Sequence, residues 1–174
     1  MLIGHTPAGY LLGHLVQQRA QLPRNIAIFF GLFTANLPDL DMLYFHLIDH
    51  RQHHHHTYWT HLPVFWLAVT AIAWLIGRHA ALRAYRHWLV LGLANIWLHL
   101  LLDSIVGDIW WLYPLINQPF ALFTVPATHA NWIWSFVLHW SFALEIVVIV
   151  WAGWVWYRQP MASRRHQQAV ASLD

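Results

Sequence analysis

The chain alternates between long apolar stretches and shorter polar segments. The apolar stretches cover residues 5–18, 25–36, 62–77, 88–106 and 131–157. Because about 20 helical residues are needed to cross the hydrocarbon core of a bilayer, the last stretch is the clearest transmembrane span. The first two are short for a span, so we expect them to be tilted, to thin the bilayer locally, or to pack inside a bundle. The pattern predicts an all-α, polytopic membrane bundle of about five helices.

Two connections between these stretches have distinctive compositions. Residues 37–61 form a polar connection rich in His and Asp, and residues 107–130 form a long loop with three Pro and several aromatic residues. Aromatic-rich loops are typical of the membrane interface. We predict one integral-membrane helical domain over residues 1–160, followed by a polar cytoplasmic tail over residues 161–174.

The composition also indicates a membrane protein. Hydrophobic residues make up 59% of the chain and charged residues only 9%, far below the ~25% of a soluble domain. Cys is absent, which excludes disulfides and thiolate metal sites. All nine basic residues are Arg, and they are dispersed rather than clustered into a surface for nucleic acid. We therefore expect membrane lipids, and no nucleic acid, as partners.

The positions of the Arg residues predict an orientation in the membrane. Eight of the nine lie in the turn at residues 19–24, in the turn at residues 78–86, or in the C-terminal tail. With five spans, all three places fall on one side, which the positive-inside rule makes cytoplasmic. The N-terminus, the 37–61 connection and the 107–130 loop then lie outside. Most of the polar residues that are candidates for a functional site therefore gather at one membrane face.

The most informative polar residues lie in the central apolar stretch. His99 and Asp103 are four residues apart, so on a helix they project from one face, and Asn95 lies one turn earlier on that face. Ionisable residues inside an apolar helix are costly in lipid and mark functional sites. Imidazole and carboxylate at this spacing suit Zn²⁺, Mn²⁺ or Fe²⁺. The alternative is a buried His–Asp hydrogen bond that only fixes the packing.

The 37–61 connection adds further potential ligands. Pro38 disfavours continuation of the preceding helix, and in an extended segment Asp39 and Asp41 point to the same side. The alternative for this pair is a solvated Asp-rich turn. Residues 50–61 contain the densest run of imidazoles in the chain. Since any such run can bind metal adventitiously, density alone does not identify the true ligands.

Other polar residues interrupt the apolar stretches. His14 lies nine residues after His5 and falls on roughly the opposite face of the same helix. We therefore expect His14 to pack in the bundle or to support a metal ligand, and not to bind the metal together with His5. His139 is near the outer end of the last stretch, within reach of a site there. Glu145 lies deeper, and we expect it to pair with another buried polar group.

Taken in order, these motifs resemble the YbcI/YdjM-type family of inner-membrane, metal-dependent hydrolases. The elements that carry the resemblance are His5, the segment 37–41, the segment 56–61, the pair His99 and Asp103, Gly107, and the dipeptide Tyr113-Pro114. Together they cover roughly residues 5–114. One departure is Thr57, which stands where the family has Arg. It leaves open which of His53, His54, His55 and His56 is the ligand.

The resemblance implies a divalent metal, Zn²⁺ ahead of Mn²⁺ or Fe²⁺. The candidate metal ligands are His5, Asp39, Asp41, His56, His61, His99 and Asp103. The candidate catalytic residues are Asp39, Asp41 and Asp103, and the candidates for supporting the ligands are His14, Asn95, His139 and Thr60. A looser similarity to zinc-dependent phospholipases C and related nucleases implies a multinuclear site in which Asp103 bridges metals.

We therefore expect a metal-activated water to attack a lipid or lipid-linked phosphoester, with an Asp that binds no metal as the general base. An amide or an acyl ester is also compatible as substrate. The alternative from another class is a non-catalytic metal-binding membrane protein, such as a sensor, chaperone or transport component. A third hypothesis is a structural or partner-binding protein whose His–Asp pairs only form hydrogen bonds.

Overall fold

The computed structural model describes residues 3–171, without the side chains of residues 80 and 160–171. The α-helices are α1 (His5–Ala20), α2 (Arg24–Ala35), α3 (Asp41–Leu47), α4 (Pro63–Gly77), α5 (Arg86–Asp103), α6 (Trp132–Val137) and α7 (Phe142–Ala171). Short 3₁₀ turns cover Pro38–Leu40, His55–Thr57, Trp59–His61 and Ala80–Tyr85. No strand occurs between residues 3 and 171, and the prediction of an all-α fold is confirmed there.

Four of the predicted apolar stretches correspond to single helices, α1, α2, α4 and α5. The prediction of one span over residues 131–157 was wrong, because α6 and α7 are separated by residues 138–141. At this break the His139 ring and the Ser141 hydroxyl lie 2.8 Å apart, and local side-chain hydrogen bonds of this kind compete with a continuous helix. Helix α7 then continues past residue 161, where the polar tail was predicted to begin, and residues 172–174 lie outside the described part of the chain.

The lengths and compositions of the described helices bear on the predicted spans. None of these helices is, by itself, both long enough and apolar enough for a membrane span. Helix α2 and the segment Pro38–Leu47 reach that length and composition together, with a bend of 58° between them. The five spans and their orientation stay a prediction.

Helices α1 and α2 approach closely because small residues face each other. Gly9 and Gly13 form a Gly-x-x-x-Gly motif on α1. A Cβ at Gly9 would lie 2.4 Å from the Cβ of Ala35 and 2.7 Å from the backbone oxygen of Gly31, both on α2. Small residues at this spacing are typical of helix pairs in membrane proteins. The close packing fixes the first turn of α1, which carries His5, beside the end of α2.

Helix α5 is the central element of the fold. It contacts α1, α2 and α4, and its Ile96 and Leu100 form a buried apolar core with Trp66 of α4. The Trp66 indole donates a hydrogen bond to the backbone oxygen of Thr60 at 2.7 Å. This bond joins the core to the 3₁₀ turn before α4, so the end of α5 is held beside the His-rich connection.

The predicted 107–130 loop folds back on the end of α5. The backbone nitrogen of Leu122 donates to the backbone oxygen of Ser104 at 2.7 Å, and Ile109 pairs with Phe120 in an isolated β-bridge. The indole of Trp111 donates to the Ser104 hydroxyl at 2.7 Å. These contacts close the loop over the residues that come directly after α5.

Candidate metal centre

Four donor atoms from three parts of the chain converge at the C-terminal end of α5. They are Asp39 Oδ1, His61 Nε2, His99 Nε2 and Asp103 Oδ2. The two Nε2 atoms are 3.3 Å apart, and Asp39 Oδ1 is 3.6 Å from each of them. Asp103 Oδ2 is 3.0 Å from His99 Nε2 and 3.7 Å from His61 Nε2. Metal–ligand bonds of ~2.0–2.2 Å place tetrahedral donors roughly 3.3–3.6 Å apart, so these separations fit one ion.

The second nitrogen of each imidazole is held by an acceptor. Nδ1 of His99 donates to the backbone oxygen of Ala35 at 2.7 Å, and Nδ1 of His61 donates to Asp41 Oδ2 at 2.7 Å. Because a carbonyl and a carboxylate only accept, the neutral rings carry their proton on Nδ1 and present lone pairs at Nε2. Histidine ligands typically donate their second N–H to such a carbonyl or carboxylate. Both imidazoles are therefore prepared for metal binding through Nε2.

The Asp39–Asp41 segment differs from the predicted extended conformation. Pro38–Leu40 is a 3₁₀ turn and Asp41 begins α3, so the prediction that both carboxylates point to one side of an extended segment was wrong. They lie on opposite sides of the His61 ring, Asp39 near Nε2 and Asp41 at Nδ1. Proline at the first position of a helical turn has a suitable backbone angle, which explains the turn. Asp41 thus lies at the ring nitrogen of His61 that faces away from the centre, and its oxygens are not among the four converging atoms.

His5 holds the other oxygen of Asp103. Its Nε2 lies 2.9 Å from Asp103 Oδ1, and its ring stacks on His99 with ring centroids 3.8 Å apart. All three side chains are buried. Oδ1 is engaged by His5, and the second oxygen of Asp103, Oδ2, faces the imidazoles of His61 and His99. The contacts of His5 therefore orient Asp103 without adding a fifth atom to the four.

The structure distinguishes the members of the run 53–56. His56 is buried, with Nε2 3.8 Å from Asp103 Oδ2, whereas His53 and His54 are exposed. Gly107 makes room for His56, because a Cβ at that glycine would lie 2.6 Å from Cε1 of the imidazole. His55, His56 and His61 form a second group of nitrogens that could hold a metal ion. The C-terminal half of the run, His55 and His56, therefore faces the centre.

The charge around His61 favours a cation. Burial by itself lowers the pKa of His61, but the carboxylates of Asp39, Asp41 and Asp103 outweigh burial and raise this pKa to about 9. Burial dominates at His56, where it lowers the pKa to about 2. A metal ion that binds His61 must displace its proton, and the same carboxylates that attract the proton attract the metal.

Two of the residues predicted to support the ligands lie at the site. The Thr60 hydroxyl donates to Asp41 Oδ2 at 2.5 Å, the oxygen that also accepts from His61. Asn95 is fully buried one turn before His99, and its Nδ2 donates to the backbone oxygen of Leu91 at 3.0 Å. Thr60 thus holds the carboxylate that holds His61, and Asn95 lines a small cavity together with His99.

The other two predicted supporting residues lie elsewhere. Nδ1 of His14 is 3.0 Å from the side-chain nitrogen of Gln159, and His139 bonds to Ser141 in the break between α6 and α7. Neither belongs to the groups of potential metal ligands among the described residues. The structure does not bring these two histidines to the centre.

Glu145 of α7, for which the sequence indicated only a buried polar partner, holds the start of the chain. Its carboxylate is buried, and Oε2 accepts hydrogen bonds from the backbone nitrogens of Ile3 at 2.6 Å and Gly4 at 2.8 Å. These residues directly precede His5. A contact between a side chain and a backbone 141 residues apart leaves no signal in residue spacing, so the sequence could not reveal it.

Comparison with protein families identifies the relatives of the chain. A family model described as YdjM inner membrane protein matches residues 1–163. Because the match covers most of the sequence, the chain belongs to this family, as its motifs indicated. No curated protein and no solved structure matches the chain.

Proposed function

We propose that this member of the YdjM inner membrane protein family is a metal-dependent hydrolase that acts on a lipid or lipid-linked phosphoester. The observation that carries the proposal is the pair of Nε2 atoms on His61 and His99, which lie 3.3 Å apart while both Nδ1 atoms are held by acceptors. Facing lone pairs repel each other unless a cation lies between them. Together with Asp103 Oδ2, 3.0 Å from His99 Nε2 and 3.7 Å from His61 Nε2, these nitrogens form three buried donors close to tetrahedral separations, which favours a metal ion over a proton for this position.

The donor set favours a transition metal. Two imidazole nitrogens and a carboxylate oxygen suit Zn²⁺, with Mn²⁺ and Fe²⁺ as alternatives, whereas Mg²⁺ and Ca²⁺ prefer oxygen ligands. The chain has no Cys that could provide a thiolate ligand. When bound, such an ion polarises a phosphoryl oxygen and lowers the pKa of water.

The residues around the centre differ in burial, and this difference supports separate roles for them. The side chains of His61 and His99 are 0% exposed and that of Asp103 is 2% exposed, whereas Asp39 is 34% exposed. Catalytic metal sites commonly use three protein ligands and keep one position open. We assign the three buried residues to holding the ion. Asp39, the most exposed of the four, lies at the open side, and we assign its Oδ1 to taking the proton of an attacking water and not to holding the ion.

Exposed apolar side chains beside the ligands support a lipid-like substrate. Leu40 and Leu43 lie one and four residues after Asp39 and are 49% and 62% exposed, and Trp59, two residues before His61, is 60% exposed. Exposed apolar patches mark contacts with membranes or apolar ligands, and Trp is enriched at the membrane interface. A substrate whose hydrocarbon part covers these side chains presents its polar ester to the open side of the centre.

A non-catalytic metal-binding function is the second candidate. Four protein donors, three of them on side chains that are almost fully buried, are also the features of a closed site that holds an ion without exposing it. A sensor, chaperone or transport component would use such a site to bind the ion and not to change a substrate.

Metal content and turnover separate the two candidates. The protein, purified in detergent, is analysed for bound metal and for release of the polar head group from phospholipid in mixed micelles. We expect His99→Ala and Asp103→Asn to lose both the metal and turnover. Asp39→Asn is expected to keep the metal and to lose about 10²- to 10⁴-fold in turnover, the range for a general base. His139→Ala, outside the centre, is the matched control.

Each result decides between the hypotheses. Stoichiometric metal without hydrolysis of any phosphoester, and with no effect of Asp39→Asn, supports the non-catalytic function. A folded wild-type protein that binds no metal contradicts both candidates and leaves the structural interpretation of the His–Asp pairs.

A further inference from the structure

A cavity of about 1060 Å³ lies between α4, α5 and the Ala80–Tyr85 turn. It includes the first residues of α5, whereas the metal centre includes the last ones. Helix α5 begins at Arg86 and ends at Asp103, and at 1.5 Å per residue its two ends are about 25 Å apart. The cavity is therefore separate from the metal centre, and a ligand of the cavity does not depend on the proposed hydrolase activity.

Four basic side chains line the cavity. Arg78, Arg83, Arg86 and His87 line it. None of the described residues in its wall is acidic, and the sequence contains no Asp or Glu between Asp49 and Asp103. The positive charge of the arginines is therefore not balanced by a carboxylate of the wall, which makes the cavity complementary to an anion.

The rest of the cavity wall is mostly apolar, and part of it is exposed. Its wall includes Trp74, Leu89 and Val90, of which Trp74 is 61% and Val90 52% exposed. The guanidinium of Arg78 lies 4.8 Å from the centroid of the Trp74 ring. Stacking of this kind holds the charge against the aromatic face while the N–H groups at the edge of the guanidinium can still donate. Cationic donors and exposed apolar surface thus adjoin within one cavity.

We propose that this cavity binds an anionic phospholipid, with the phosphate between the arginines and an acyl chain against Trp74 and Val90. Arginine forms paired hydrogen bonds with phosphate oxygens, and basic pockets between the helices of membrane proteins bind anionic head groups. A soluble phosphate would leave the apolar wall uncovered, and a zwitterionic lipid would leave the arginines unbalanced. The chain belongs to an inner membrane protein family, so the lipid is available where the protein is found.

Native mass spectrometry of the full chain tests this proposal. The protein is released from micelles that contain either phosphatidylglycerol or phosphatidylcholine, and retained lipids are counted. We expect retention of phosphatidylglycerol only. The triple variant R78Q/R83Q/R86Q should retain at least about tenfold less, because each lost hydrogen bond to a charged group has an effect of that order. R158Q is the matched control, since Arg158 also stacks on a tryptophan, Trp154, at 4.0 Å but lies outside the cavity.

Three results would overturn the proposal. They are equal retention of both lipids, undiminished retention in the triple variant, and displacement of the lipid by free glycerol phosphate, which would identify a soluble ligand. A change in oligomeric state without a change in lipid retention would assign the cavity to a protein contact and overturn it as well. If circular dichroism shows that the triple variant is unfolded, R83Q alone replaces it, with a reduction in the same direction expected.

Discussion

The carboxylate of Glu145 accepts a hydrogen bond from the backbone nitrogen of Gly4 at 2.8 Å. Gly4 directly precedes His5, and His5 in turn lies 2.9 Å from Oδ1 of Asp103. A series of short contacts therefore leads from α7, through the start of the chain, to one of the four donor residues. The relationship assigns Glu145 a role in positioning the metal centre through the backbone that precedes His5.

Replacement of Glu145 should weaken metal binding through His5. We expect Glu145→Ala to lower the affinity for Zn²⁺ by about 10- to 100-fold, the range for groups that hold ligands in place. Chelator competition measures the affinity. Because the two residues act in series, adding Glu145→Ala to His5→Ala should change the affinity no further. Additive losses in the double variant would show that Glu145 acts by another route.

Asp41→Asn should weaken the centre although Asp41 lies behind His61. The variant removes the charge that accepts the His61 Nδ1 proton at 2.7 Å, and we expect a loss of about 10- to 100-fold in metal affinity. Asp49→Asn is a matched control, since Asp49 also bonds to an imidazole at 2.7 Å, that of the exposed His53. Equal losses in both variants would mean that any lost acid has this effect.

Two glycine substitutions should have opposite effects on stability. In Gly107→Ala the new Cβ would lie 2.6 Å from Cε1 of the buried His56, and overpacking of this kind costs about 1–3 kcal/mol. In Gly153→Ala the Cβ meets nothing within 4 Å, and Ala in place of Gly inside a helix contributes about 0.5–1 kcal/mol. Thermal unfolding in detergent measures both. A neutral Gly107→Ala variant would show that His56 is not fixed against this glycine.

Metal affinity should rise with pH below about 9. Burial opposes protonation of His61, but the surrounding carboxylates raise its pKa to about 9, so at neutral pH the metal competes with a proton. Release of one proton on binding corresponds to an affinity that increases about tenfold per pH unit and becomes constant above the pKa. Calorimetry in two buffers of different ionisation enthalpy counts the released protons. An affinity independent of pH between 6 and 8, as roughly expected for an unprotonated site, would argue against ligation by His61.

Helical periodicity explains the part of the centre that the sequence could predict. His99 and Asp103 are four residues apart on α5, and their Nε2 and Oδ2 atoms lie 3.0 Å apart. Of the five apolar stretches that predicted helices, four form single helices, because a continuous apolar run is a property of the local sequence. The order of the motifs then identified the family, which the match over residues 1–163 confirms.

Turn geometry and long-range packing explain what the sequence could not predict. Whether Pro38 starts a 3₁₀ turn or an extended segment depends on the surrounding packing, and this choice decided on which side of His61 Asp41 lies. Which imidazole of residues 53–56 is buried beside the centre depends on the space left by Gly107. The break before α7 depends on contacts of His139 and Ser141, and none of these contacts has a periodic signature.

The most direct test of the metal centre combines metal analysis with X-ray absorption at the edge of the bound metal. We predict about one Zn²⁺, Mn²⁺ or Fe²⁺ per chain, bound by nitrogen and oxygen at roughly 2.0–2.2 Å with imidazole in the ligand set. The signal should be absent in His99→Ala and unchanged in His53→Ala, which removes an exposed imidazole of the same run. A folded wild-type protein without metal, or a metal that persists in His99→Ala and is lost in His53→Ala, would contradict the account.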